Sequence, residues 1–165
     1  MANTSRDHRE KLVVWTLLDT GLRVSELAKL KKDTIDWPGH RLMVYGKGGP
    51  YGPQTKRRII PLSPRVQPLP AGHFALHDTL GMSSCTIQML VKRVANRARI
   101  SRPVMPHVLR PTFAVTAIQK GISLPVRQRL LGHDRLTTAE IYPNLSPWST
   151  NRIVILRERL CCRKP

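Results

Sequence analysis

The chain has 165 residues, and its 28 lysines and arginines against 10 acidic residues leave a formal charge of +18. That length fits one domain with a core of its own, and so large a basic excess points to a polyanion, most often nucleic acid. Three cysteines, Cys85, Cys161 and Cys162, exclude a disulfide framework and fit a reducing cytoplasm. The polar start, Met-Ala-Asn-Thr-Ser-Arg-Asp-His, is not a signal peptide, no apolar stretch is long enough for a membrane span, and the expected compartment is cytoplasm or nucleoid.

In chain order, Ser5 is placed to cap a helix running through Thr20, with Leu12, Val13, Trp15, Leu17 and Leu18 on its apolar side and Gly21 as its stop. A short helix follows, roughly Arg23 to Lys31, before the turn Asp36-Trp37-Pro38-Gly39. Arg41–Tyr45 and Lys56–Leu62 read as paired strands joined by a loop rich in Gly and Pro. Pro64 to Gly81 reads as a connector with little regular structure. Ser83 or Ser84 caps a long helix over Thr86–Ile100, with Ile87, Leu90, Val91 and Val94 inward and Lys92, Arg93, Arg97 and Arg99 mostly outward. A helix from Val108 to Lys120 ends at Gly121, another starts at Ser123-Leu124-Pro125 and ends at Gly132, and a short one begins at Thr137 or Thr138 and stops at Pro143. A last amphipathic helix runs from Ser149 to about Cys161. The expected fold is mainly α with a small antiparallel β-hairpin sheet, an α+β domain. Residues 1–165 are expected to form a single domain, with 1–147 as its core and 148–165 as a terminal helix and tail.

Several residue sets carry chemistry. His107 and Arg110 are three apart, so at a helix start both can face one side. An arginine fork can hold two non-bridging oxygens of one phosphate, and Arg23, with Glu26 one turn later, offers a second clamp steadied by a carboxylate. Each set alone also reads as ordinary basic surface or as a weak i,i+3 ion pair. Tyr142 follows Leu131-Gly132-His133 and Thr137-Thr138. A phenol with a pKa of about 10 needs activation before it attacks a phosphodiester, and such histidines and arginines supply it. Tyr45, on a strand, and Tyr51, in the loop, are rival tyrosines by type alone. His73, His77 and Cys85 have the residue types of a metal site but lie in a proline-rich setting that argues against alignment, so no metal and no cofactor is expected. Nor is there a carboxylate cluster of the kind that holds Mg²⁺ in a metal-dependent nuclease.

Four blocks occur in order: Thr20–Leu27, Gly46-Lys47-Gly48, Pro106–Arg110, and Leu131-Gly132-His133 with Tyr142 nine residues on (142 − 133). In order and spacing they resemble the catalytic domain of the tyrosine recombinase (phage integrase) family, over about residues 10–145. The resemblance implies that fold and a DNA strand transfer without metal or ATP. Tyr142 would attack the scissile phosphate and form a 3′-phosphotyrosyl link, Arg23 and Arg110 would clamp its oxygens, and His107 and His133 would bind it or move the tyrosine proton. Lys47, with Lys56 as rival, would protonate the departing 5′-oxygen, and Glu26 would brace the site. Lys56, Arg57, Arg58, Lys92 and Arg93 are the expected DNA-binding residues. The partners implied are a double-stranded recombination site and further protomers in a DNA synapse, to which the last helix would dock unless it packs on its own domain.

Two departures stand out. Pro111 occupies the position after Arg110 where the family often has histidine, which places the helix start near Val108 to Arg110. The family usually carries an N-terminal core-binding domain that would be missing here, and the expected reading is an excised catalytic fragment rather than a naturally minimal member that needs a partner. A catalytically silent DNA-binding relative acting in accessory or excision control, or a type IB topoisomerase-like enzyme, are the competing readings.

Overall fold

The structure is a computed structural model that describes residues 7–46, 56–100 and 104–132. The first helix, α1 (His8–Thr20), is the centre of the domain, because Leu12 to Leu18 are buried without interruption and meet neighbours on every side. Asp7 caps it by accepting from the Arg9 N–H, and Gly21 closes it in the left-handed conformation at φ 63° and ψ 24°. The second helix, α2 (Val24–Ala28), is shorter than expected and passes through a 3-10 turn (Lys32–Thr34) into a sheet.

That sheet has three antiparallel strands in the order β1 (Ile35–Asp36), β2 (Arg41–Gly46) and β3 (Lys56–Pro61). The expected hairpin is β2 with β3, and β1 adds a short edge paired Ile35 to Leu42. Asp36 makes the β1–β2 turn by accepting from the Gly39 N–H at 3.0 Å. Alternation along β3 sends Arg58 and Ile60 inward and Arg57 and Ile59 outward.

The stretch from Pro64 to Gly81 is not a plain connector: it contains α3 (Pro68–Phe74). Its prolines stand in the first turn, where the N–H groups have no intrahelical partner to lose. Phe74 and His73 are buried there, with the His73 Nε2 3.1 Å from the Thr79 carbonyl.

The long helix α4 (Ser84–Arg97) is capped by Ser83, whose hydroxyl accepts from the Thr86 N–H at 3.1 Å. Ile87, Val91, Val94 and Ala95 face the core, whereas Leu90 is half-buried. Arg97, expected outward, turns back to pair with the buried Glu10 of α1. Helix α5 spans Pro106–Gln119 and α6 spans Leu124–Leu131, closed by Gly132 at φ 64°. The α5 start falls earlier than Pro111 suggested. Pro106 occupies its first position with φ already set, and Pro111 lies inside, forgoing the bond its N–H would make to the His107 carbonyl. Burial of Leu109 and of Thr112 to Val115 holds the helix together across that gap. Among the described residues no helix is long and apolar enough to cross a membrane.

Candidate active site

Three helices meet around Gly21. A Cβ there would lie 2.5 Å from the Phe113 Cδ1 and 3.2 Å from a Leu131 methyl, so α5 and α6 close on the end of α1 only because this residue has no side chain. The left-handed φ makes the same demand. Two residues later Arg23 stands in extended conformation at the N-cap of α2.

Glu26, at the third position of α2, folds back on that cap. Its Oε2 accepts from the Arg23 N–H at 2.7 Å, and its Oε1 accepts from the Arg23 Nη1 at 3.0 Å. This reciprocity resembles the carboxylate half of a capping box and leaves the Arg23 side chain 46% exposed. The Glu26 side chain is only 6% exposed. Burial alone raises its pKa, but the hydrogen bonds from Arg58 and from the Arg23 backbone, with the Arg58 charge, outweigh it and hold the carboxyl below its ordinary value.

Arg110, on the second turn of α5, reaches the same turn from the other side. Its Nη1 donates to the Gly21 carbonyl at 2.6 Å, and its Nη2 donates to the Leu131 carbonyl. Arg23 and Arg110 are thereby tied to one short stretch of backbone, although 87 residues separate them in sequence (110 − 23). His107 stands exposed on the first turn of α5, three residues before Arg110.

The residues expected to bind DNA divide. Arg57 is exposed on the outer face of β3, its Nη2 3.2 Å from the Met43 Sδ, and Lys92 and Arg93 are exposed on α4. Arg58 is a correction: only 7% of its side chain is exposed, and its guanidinium forks onto both oxygens of Glu26 at 2.9 and 2.7 Å. Sequence reasoning missed it because Arg57 and Arg58 are the same residue type, yet the alternation with Ile60 and Leu62 carries the inward signal. Lys47, His133, Tyr142, the short helix from Thr137 or Thr138 and the last helix from Ser149 lie outside the described residues, as does the Lys56 side chain.

The His73 ring is 4.7 Å from that of His77, but its Nε2 is used on the Thr79 carbonyl. Among the described residues no group of three or more His, Cys, Asp or Glu side chains is arranged to hold a metal ion.

Comparison with known proteins bears on the family and the fold. The pattern of the phage integrase family matches residues 1–147. A tyrosine recombinase of Thermosipho africanus (strain TCF52B) is 31% identical over 150 residues, covering 85% of this chain and 51% of its own. The crystal structure of XerA recombinase superposes with a TM-score of 0.77 at 25% identity, covering 99% of this chain and 60% of that one. XerH, a site-specific recombinase solved bound to a palindromic difH substrate, shares the fold with a TM-score of 0.70 at 22% identity, over 92% of this chain and 46% of its own. The chain spans about half the length of the curated relatives it matches. With four blocks in order, a helical domain carrying a small antiparallel sheet, and these matches, the chain belongs to the phage integrase family.

Proposed function

We propose that the chain is the catalytic part of a site-specific DNA recombinase, which cuts and rejoins strands through a phosphotyrosyl link without metal or ATP. The observation that carries this reading is that Arg23, two residues past the Gly21 turn, is held by the Glu26 carboxylate, while Arg110 is held by the carbonyls of Gly21 and Leu131. Guanidinium groups preorganised in this way supply several donors to charge that develops on a phosphorane, at no cost in reorganisation during the reaction. The basic excess of +18 supplies affinity for the DNA backbone.

In this mechanism the Tyr142 oxygen attacks phosphorus, a 3′-phosphotyrosyl bond forms and the bond to the 5′-oxygen breaks. Arg23 and Arg110 hold the non-bridging oxygens. His107 and His133 bind the phosphate or take the phenolic proton, and Lys47, or Lys56 in its place, returns a proton to the departing 5′-oxygen. The energy of the phosphodiester stays in the covalent link, so the 5′-hydroxyl of another strand can reverse the step. The partners are a double-stranded recombination site and further protomers assembled on it.

A library of nicked duplexes, incubated with the chain in EDTA and resolved on a denaturing gel, tests the reading. A covalent adduct with the wild type and none with Tyr142→Phe, at unchanged DNA affinity, is the expected result. Tight, salt-sensitive binding with no adduct, even when an N-terminal DNA-clamping domain is supplied, would establish the silent DNA-binding relative instead.

A further inference from the structure

Among the described residues expected to bind DNA, Arg58 is the one that turns inward. It sits on β3, the second strand of the hairpin whose loop carries Lys47, yet its guanidinium points into the domain. There it joins two other segments. Its Nη1 and Nη2 donate to the two Glu26 oxygens at 2.9 and 2.7 Å, and its Nε donates to the Leu130 carbonyl at 3.0 Å.

Both contacts have a physical purpose. Glu26 accepts two hydrogen bonds from Arg23 and two from Arg58, so each oxygen is held from two directions and the carboxylate has one orientation. Without the Arg58 fork, a buried carboxylate would face Arg23 alone, and both would be free to turn together. Leu130 lies in the last turn of α6, where carbonyls lack intrahelical donors. Arg58 takes the Leu130 carbonyl and Arg110 the Leu131 carbonyl, so two arginines from different elements close the helix end that runs into His133. Gly132 makes room: a Cβ there would lie 3.0 Å from the Arg58 Nη1.

We propose that Arg58 is a positioning residue of the recombinase site, which acts from inside the domain by fixing Glu26, and through it Arg23, while anchoring the end of α6 ahead of His133. The inference rests on the proposed strand-transfer reading, since it gives Arg23 its task. With 7% of its side chain exposed, Arg58 contributes no phosphate contact.

The test uses the full chain with Arg58→Met, an apolar replacement, and Arg58→Lys, which keeps the charge but not the planar fork. Carbon-13 NMR titration of the Glu26 carboxyl needs no activity. It is expected to show the midpoint rising in Arg58→Met, rising less in Arg58→Lys, and staying put in Arg57→Ala. Single-turnover cleavage of nicked duplexes is expected to slow by roughly 10–100-fold in Arg58→Lys. The slowing should nearly vanish in a Glu26→Gln background, because the effect passes through that carboxylate. DNA affinity in Arg58→Met should keep the wild-type salt slope; a slope shallower by about one would make Arg58 a phosphate contact and overturn the proposal. An unmoved Glu26 midpoint, or wild-type cleavage in both variants, would overturn it as well. Should Arg58→Met fail to fold, Arg58→Lys decides. If the wild type forms no adduct even with an N-terminal DNA-clamping domain supplied, the strand-transfer reading fails, while the titration still reports whether Arg58 fixes Glu26.

Discussion

At the start of α2, Arg23 leaves its side chain about half in solvent and is steadied by a buried carboxylate. On α5, Arg110 is half-buried and reaches main-chain carbonyls at the ends of α1 and α6. One clamp is built from side-chain chemistry, the other from the path of the backbone. A carboxylate clamp titrates and can be undone by changing one side chain. A carbonyl clamp does not titrate, but it lasts only while the helix ends stay where packing puts them.

The largest expected effect is on cleavage. Either Arg23→Ala or Arg110→Ala is expected to slow single-turnover strand cleavage by several orders of magnitude, since about 10²–10³-fold follows from losing one oxyanion-type donor. Stability separates the two. Arg23→Ala removes a half-exposed pair and is expected to cost under about 1 kcal/mol in urea denaturation. Arg110→Ala leaves helix-end carbonyls without their donor and is expected to cost about 1–3 kcal/mol. Equal losses in the two variants would erase the contrast between the clamps.

Gly21→Ala attacks the backbone clamp at its root. A left-handed alanine together with a methyl forced onto Phe113 is expected to cost about 2–5 kcal/mol, read from the denaturation midpoint. A neutral substitution would mean that α5 and α6 can retreat without loss, and that the close approach is not what holds Arg110.

Acid sharpens the comparison further. The Glu26 pKa is lowered in the folded chain, so its contribution to stability is present above the ordinary glutamate value of about 4.3 and is lost as pH falls through the depressed folded value. His73 is also lowered, by burial first and then by neighbouring His77, Arg9 and His8 against the Thr79 carbonyl. Its neutral form is the one the fold accepts, so stability begins to fall as pH drops through the ordinary histidine value of about 6.5. A denaturation series against pH is expected to show both declines. Glu26→Gln should remove the lower one and leave the upper.

The smallest effect separates neighbours on one strand. Arg57→Ala is expected to change stability by less than about 0.5 kcal/mol and to make the salt slope of DNA binding shallower by about one. An unchanged slope would take the outer face of β3 out of the DNA contact.

Much of the fold was legible because its signals are local. Gly21 and Gly132 end their helices as their position in the pattern suggested, and Ser83 caps α4 with a hydroxyl one turn from its target. The errors have equally specific causes. The prolines of α3 read as breakers because a sequence does not show that they fall within a first turn, where a missing N–H costs nothing. Pro111 displaced the expected start of α5 because the tertiary burial that carries a helix across an interior proline is invisible in the chain order. Within the candidate site, the arginine and carboxylate blocks stood out by residue type and spacing. Their anchors did not, for the Gly21, Leu130 and Leu131 carbonyls belong to main chain that carries no identifying side chain.

The amino-acid sequence by itself determined the glycine stops of α1 and α6, the Ser83 cap, the hairpin and the set of chemically able residues, since capping, periodicity and residue type act over a few positions. Strand alternation puts Arg58 on the inward face, but only the tertiary structure decided what it meets there. Arg57 and Arg58 are chemically identical and adjacent, and the difference between them is a buried carboxylate 32 residues away in sequence that lies on one side of the strand (58 − 26).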